Sequence, residues 1–186
     1  MNAALLEAAN AIAQALDRHG IEHAFIGGFA INALGYIRVT GDVDVLIASS
    51  VAQLCSSIAE CLSDDPRFSY RNLKLMFTTS DGGREVPVET LPVGALGLPT
   101  SLKWFRSIYG VRVLEPGVLV LTKMKHCIHY IGSSRSASLF KLKRDEDDIK
   151  YLLIEIKKRH KTIDFVGYET PNPTRLYLAV QQLARY

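Results

Sequence analysis

The stretch Gly41-Asp42-Val43-Asp44-Val45-Leu46-Ile47 constrains this chain more than any other. Polar and apolar residues alternate and then give way to a continuous apolar run, the pattern of a strand that enters a core. Residues two apart on a strand point to the same face, with Cα atoms roughly 6.5–7 Å apart. Asp42 and Asp44 would therefore share one face, while Val43, Val45 and Ile47 bury the strand and hold the acids at its edge. Two carboxylates so close repel each other unless cations sit between them. Hard oxygen donors suit magnesium. Two such ions about 3.5–4 Å apart clamp both ends of an in-line phosphoryl displacement. Taken alone, Asp-x-Asp describes an exposed strand with alternating acids better than a metal site.

Two neighbouring features favour the metal reading. His23-Ala24-Phe25-Ile26 reads as a short buried strand, and Phe29 to Leu34 as a short helix ended by Gly35. Gly27-Gly28 lies between them, where the missing side chains let phosphate oxygens approach the backbone and the free N–H groups at the helix start. Arg38 and Thr40 share the parity of Asp42 and Asp44. If the strand begins early, all four side chains face one way, with Arg38 and Thr40 as phosphate partners.

Ile26-Gly27-Gly28, thirteen further residues, then Asp42-Val43-Asp44-Val45 resembles the signature of the DNA polymerase β nucleotidyltransferase superfamily. Gly27 to Ile47 is especially similar to its small stand-alone members, which carry Gly-Gly and then Arg-x-Thr-x-Asp-hydrophobic-Asp. The resemblance implies an α/β (α+β) fold, a mixed sheet flanked by helices with a helical C-terminal part. It implies a nucleoside triphosphate substrate such as ATP, bound with magnesium or manganese. It also implies a third acid on a neighbouring strand, which ligates metal and activates the acceptor hydroxyl. Glu89 matches that position best and Glu85 is the runner-up, although the family usually has Asp there. Lys123 matches a lysine that neutralises triphosphate charge in some members, and Asp145 and Asp148 look structural. Asp42, Asp44 and Glu89 are thus the expected catalytic and metal-binding acids. Gly27, Gly28, Arg38, Thr40 and Lys123 are the expected nucleotide contacts.

The rest of the chain supplies the frame. Leu5, Leu6, Ala9, Ile12, Ala13 and Leu16 recur at helical spacing before Gly20. Val51 to Leu62 is helical in pattern, Phe68 to Met76 and Phe77 to Thr79 read as strands, and Asp81-Gly82-Gly83 as a hairpin turn leading to Glu85–Leu91. Pro87 places that last strand at an edge or a bulge. Pro92 to Ser101 reads as a loop, and the chain turns helical from Pro116, with a further helix over Asp147 to Arg159. Pro171 and Pro173 precede a last helix ending near Tyr186. The expected division is a nucleotidyltransferase core at 1–112 and a helical region at 113–186, packed on that core.

Net charge is +3, with 48% hydrophobic and 22% charged residues, a balance that suits a soluble protein handling an anionic nucleotide. Cys55, Cys61 and Cys127 match no disulfide or zinc spacing, so reduced, buried thiols in the cytoplasm are expected. The longest uncharged run, Ala24 to Ile37, is too short and glycine-broken to span a membrane. His126 and His129 stand three apart on a helix, too few ligands for a metal site. Arg135 sits in an expected linker, and Trp104 and Phe105 are expected core residues. The reaction implied is transfer of NMP from an NTP to an acceptor, with release of pyrophosphate. Family acceptors include small molecules, proteins and RNA ends, and the lack of a basic tract or separate RNA-binding module favours a small molecule. The alternatives are a toxin-like enzyme modifying tRNA or protein, and a degenerate fold that binds nucleotide or a partner without turnover.

Overall fold

Asn2 opens the first helix, Ala3–Arg18 (α1), its side chain accepting the Ala4 N–H at 3.0 Å. Gly20, at φ +66°, closes it. The Gly20 N–H donates to Asp17 O and the Ile21 N–H to Leu16 O, a Schellman stop that requires the left-handed residue. The structure is a computed structural model that describes residues 1–170 and 173–185. Leu5, Ala8, Ala9, Ile12 and Leu16 form the buried stripe of α1.

One mixed sheet of seven strands follows: His23–Ile26 (β1), Val43–Ile47 (β2), Phe68–Arg71 (β3), Lys74–Thr78 (β4), Glu85–Pro92 (β5), Phe105–Ile108 (β6) and Val111–Leu114 (β7). Their spatial order is β3-β4-β5-β2-β1-β7-β6. β2 runs antiparallel to β1 and parallel to β5, and β1 runs parallel to β7. The central strands are apolar because both of their faces are covered: all of β1 is buried, and in β2 only Asp44 is not. Two further helices, Gly27–Ala33 (α2) and Leu54–Leu62 (α3), belong with this sheet.

The described residues fall into two compact units. Met1–Ala95 with Phe105–Leu114 holds the sheet and α1 to α3. Leu96–Trp104 with the chain from Glu115 onward holds the helices Pro116–Cys127 (α4), Ser136–Lys158 (α5) and Pro173–Arg185 (α6). Within that second unit α4 packs on α5 and α6, and the buried Tyr168 donates its hydroxyl proton to Gly97 O at 2.9 Å. The expected residues Pro171 and Tyr186 lie outside the described residues. None of the described helices is long and apolar enough to cross a membrane.

Several elements differ from the sequence expectation. Phe68–Met76 is not one strand, because Asn72 and Leu73, at φ +50° and +63°, turn the chain between β3 and β4. β6 and β7 form a hairpin through Tyr109 and Gly110, at φ +52° and +84°, and carry the sheet to Leu114. α5 begins at Ser136, eleven residues before Asp147, where the helical spacing starts, and five before Lys141 to Ile149, the stretch that resembles the start of a family helix. Trp104 and Phe105 are half exposed, not core, and the Arg112 guanidinium lies 5.5 Å from the Phe105 ring centre. All three cysteines are free, but Cys55 is exposed. Burial pushes the Cys127 thiol up to about 12, so it stays protonated.

Candidate functional site

The strand of β2 is shorter than the expected Arg38–Ile47, and this decides how the site is built. β1 ends at Ile26, opposite Asp44, because α2 starts at once with Gly27. On the other side the register is Val43↔Val88, so an earlier start would set β2 against Pro87, which has no N–H to give. Pro87 therefore lies in an interior strand at a point where only β4 accompanies it, opposite Met76. Arg38, Thr40 and Asp42 precede the strand, and strand parity does not aim the first two.

Packing against α2 brings them to the site instead. A Cβ on Gly28 would meet Thr40 Oγ1 at 2.5 Å, Thr40 Cβ at 2.9 Å and Arg38 Nη2 at 3.0 Å. The bare backbone of Gly28 is thus the surface on which both side chains rest. Thr40 is 8% exposed, and its hydroxyl donates to Asp42 Oδ1 at 2.9 Å. Gly27 is constrained twice. It sits at φ +65°, where glycine is strongly favoured, and Asp44 Oδ2 lies where a Cβ would stand. Four expected nucleotide contacts and two expected acids are therefore gathered where β1 and β2 meet α2.

Asp44 is half-buried, while Asp42 and Glu89 are exposed. Glu89 stands directly beside Asp44 in the parallel register, and partners across parallel strands share a face. Glu85 pairs with Thr78 and its carboxylate lies 2.6 Å from Arg71 Nη1. Among the described residues no group of three His, Cys, Asp or Glu side chains is drawn together closely enough to hold a metal ion. The donor set still fits a hard divalent cation in kind: carboxylates at one strand end, one oxygen lodged over a glycine where no other side chain fits.

Lys123 lies in the other unit and is buried. Its ammonium is 2.9 Å from Asp145 Oδ1 and 2.9 Å from Asp148 Oδ2. His126 Nδ1 donates to Asp145 Oδ2 at 2.6 Å, and the Tyr130 hydroxyl meets His126 Nε2 at 3.1 Å. Burial alone would raise the Asp145 carboxyl, but His126 and Lys123 outweigh it and hold it below the ordinary value. Burial likewise opposes the Lys123 charge, yet Asp145 and Asp148 hold its ammonium above the usual lysine range. In this structure the lysine expected to meet triphosphate is engaged inside the helical unit. His126 is tied to a carboxylate rather than set for metal.

One residue of this site escaped sequence reasoning. Asn32 on α2 donates from Nδ2 to the backbone carbonyl of Arg38 at 3.0 Å. Its place one helical turn after Gly28 is the only signal the sequence carries, and a lone helical Asn is too common to be read.

Comparison with solved structures finds this fold in an antigenic nucleotidyltransferase-like protein from Paracoccidioides brasiliensis, at TM-score 0.68 and 17% identity, covering 100% of this chain and 89% of that one. A solution structure of the antibiotic-resistance factor ANT(2'')-Ia aligns at TM-score 0.47 and 15% identity over 86% of this chain and 95% of its own. A crystal structure of ANT(2'')-Ia in complex with adenylyl-2''-tobramycin aligns at 0.46 and 12%, over 83% and 98%. No family model and no curated protein sequence matches the chain. The first likeness identifies the architecture as the mixed-sheet nucleotidyltransferase fold implied by Gly27 to Ile47.

Proposed function

We propose that this chain is a nucleotidyltransferase that moves NMP from a metal-bound NTP to a hydroxyl or similar group, with a small molecule as the favoured acceptor. The observation that carries this reading is the gathering of Gly27, Gly28, Arg38, Thr40, Asp42 and Asp44 at one corner of the sheet. Gly27 and Gly28 leave room for Asp44, Thr40 and Arg38 to close on the start of α2, and Arg38 would supply a guanidinium able to take two phosphate oxygens at once. Thr40 holds Asp42 through its hydroxyl and so fixes that carboxylate's orientation. A magnesium or manganese ion held by Asp42, Asp44 and Glu89 would neutralise phosphate charge and acidify the attacking hydroxyl.

Glu89 is assigned the third role because it lies beside Asp44, whereas the Glu85 carboxylate faces Arg71. The acceptor oxygen forms a bond to the α-phosphorus as the α–β anhydride breaks, pyrophosphate leaves, and the acceptor's proton passes to a Glu89 carboxylate oxygen. A second reading, nucleotide binding without turnover, draws on one observation: no three acids are drawn together among the described residues. The two readings part on a single experiment. Each α-labelled NTP is incubated with magnesium, a cell extract and either the wild type or Asp42→Asn. Transfer expects a labelled product with wild type that is lost with Asp42→Asn, while magnesium-dependent NTP binding in calorimetry also falls. Binding without any labelled product selects the second reading, and wild-type NTP affinity in Asp42→Asn places the site elsewhere.

A further inference from the structure

We infer that Asn32 is a positioning residue for the nucleotide site, holding the segment that carries Arg38 and Thr40 against α2. The inference rests on the nucleotide site proposed above. Asn32 Nδ2 donates to Arg38 O at 3.0 Å, and this is a bond between a helix and an irregular segment six residues on. A carbonyl can only accept, so the amide nitrogen faces it and the Oδ1 atom faces the other way. That Oδ1 atom is buried and finds no hydrogen-bond donor among the described residues.

The combination is informative. A buried acceptor that has left water without finding a donor destabilises the folded chain, and an apolar side chain of the same shape would avoid that loss. The gain from the bond to Arg38 O and the loss at the stranded Oδ1 offset each other, so the bond's main effect is where it holds the segment. Sites that break the rule of satisfied buried polar groups tend to be working sites.

The consequences follow along the chain. Residues 36–42 contain no helix or strand, so no ladder of backbone bonds fixes them. Among their attachments are the Asn32 bond at Arg38, the contact of Thr40 and Arg38 with Gly28, the Thr40–Asp42 hydrogen bond and the Tyr36 N–H bond to Ile31 O. Releasing Arg38 O would let the guanidinium and the Thr40 hydroxyl drift off Gly28 and loosen the orientation of Asp42. Asn32 touches neither phosphate nor metal in this scheme. It acts through the backbone of Arg38.

Asn32→Leu keeps the shape and removes the donor, and Asn32→Ala serves if Leu does not fit. Three measurements are needed on the full chain: thermal melting, amide hydrogen exchange over residues 36–42, and calorimetric titration with ATP, GTP, CTP and UTP in magnesium. The expected variant melts no lower than wild type, exchanges faster at 36–42 but not in α1 or β1, and binds its nucleotide about tenfold more weakly, the loss of one hydrogen bond. A merely structural Asn32 would lower the melting temperature and leave the affinity of the folded protein unchanged, which overturns the inference. Unchanged exchange at 36–42 overturns it as well. If the wild type binds none of the four nucleotides, the functional reading falls, and the exchange result alone then decides whether Asn32 holds the segment.

Discussion

Glu85 and Glu89 lie four apart on β5 and share a face by parity, yet their neighbours assign them different work. The Glu85 carboxylate sits 2.6 Å from Arg71 Nη1, in an exposed pair on the β3–β4 side of the sheet. Such a pair contributes about 0–1 kcal/mol, and its loss leaves nothing buried and uncompensated. Glu89 lies opposite Asp44, at the end of β2 where Gly27 receives the aspartate oxygen. Glu89→Gln keeps the shape and removes the proton acceptor. We expect it to retain magnesium–NTP affinity while turnover drops about a hundredfold, the scale of a positioned base. Glu85→Gln should change turnover less than about twofold, in keeping with a surface pair of that strength. Equal turnover in wild type and Glu89→Gln, measured by pyrophosphate release, removes Glu89 from the mechanism. At this scale the acids and glycines were readable because their chemistry is local: two acids one strand step apart, two glycines at a turn. The route by which Arg38 and Thr40 reach Gly28 was not, because it depends on where Pro87 stops β2 from growing.

The β3–β4 hairpin carries an avoidable cost at its tip. Its two-residue turn places Asn72 and Leu73 at φ +50° and +63°, and turns of this kind prefer Asn-Gly. Leu73 is fully exposed, so its side chain gains nothing from burial there. The left-handed conformation costs a β-carbon-bearing residue about 1–2 kcal/mol, part of which glycine gives back as unfolded-state entropy. Leu73→Gly should therefore stabilise the protein by about 0.5–1 kcal/mol, read as a higher urea midpoint with an unchanged slope. A lower midpoint would mean that Leu73 has a covering partner in solution. The same residue hid the turn from the sequence, since Leu stands where Gly would announce it. β1, α2 and β2 were legible because buried apolar runs and a Gly pair mark them. The β6–β7 hairpin was not, because β6 alternates exposed and half-buried residues without a clear apolar face. The early part of α5 was marked by the resemblance of Lys141 to Ile149 and not by apolar spacing, for a different reason. Its buried face reads Leu142, Asp145, Asp148, Ile149, Leu152 and Ile156, and two aspartates break the apolar stripe. They are buried because Lys123 waits for them on α4.

The two units rely on different forces. The sheet unit is held by apolar strands, whereas the helical unit buries an ion cluster, Lys123 with Asp145 and Asp148, between α4 and α5. Removing one partner of a buried cluster is costly because the remaining charges stay desolvated, typically about 3–5 kcal/mol. Lys123→Met should therefore destabilise the helical unit by about 3 kcal/mol at pH 7. Trp104, the single tryptophan, belongs to that unit and reports its unfolding by fluorescence. The pH dependence has a definite sign. The Asp145 carboxyl is held below its ordinary value, so its contribution is present above that value and is lost as pH falls through the lowered one. The Lys123 ammonium is held above its ordinary value, so its contribution is present below the usual lysine range and is lost only as pH rises through the raised one. Both contributions are intact near neutrality, where the variant should suffer most. In Lys123→Met the buried Asp145 faces no ammonium, so its carboxyl takes up a proton more readily as pH drops, and protonation relieves the strain. The stability gap between wild type and Lys123→Met should accordingly narrow between pH 7 and pH 4, in urea melts followed at Trp104. A phosphate-binding Lys123 predicts the opposite pattern: near-wild-type melts at both pH values and a loss of nucleotide affinity. A gap of equal size at both pH values would place the cost in lost packing of the lysine stem instead of in the stranded carboxylates.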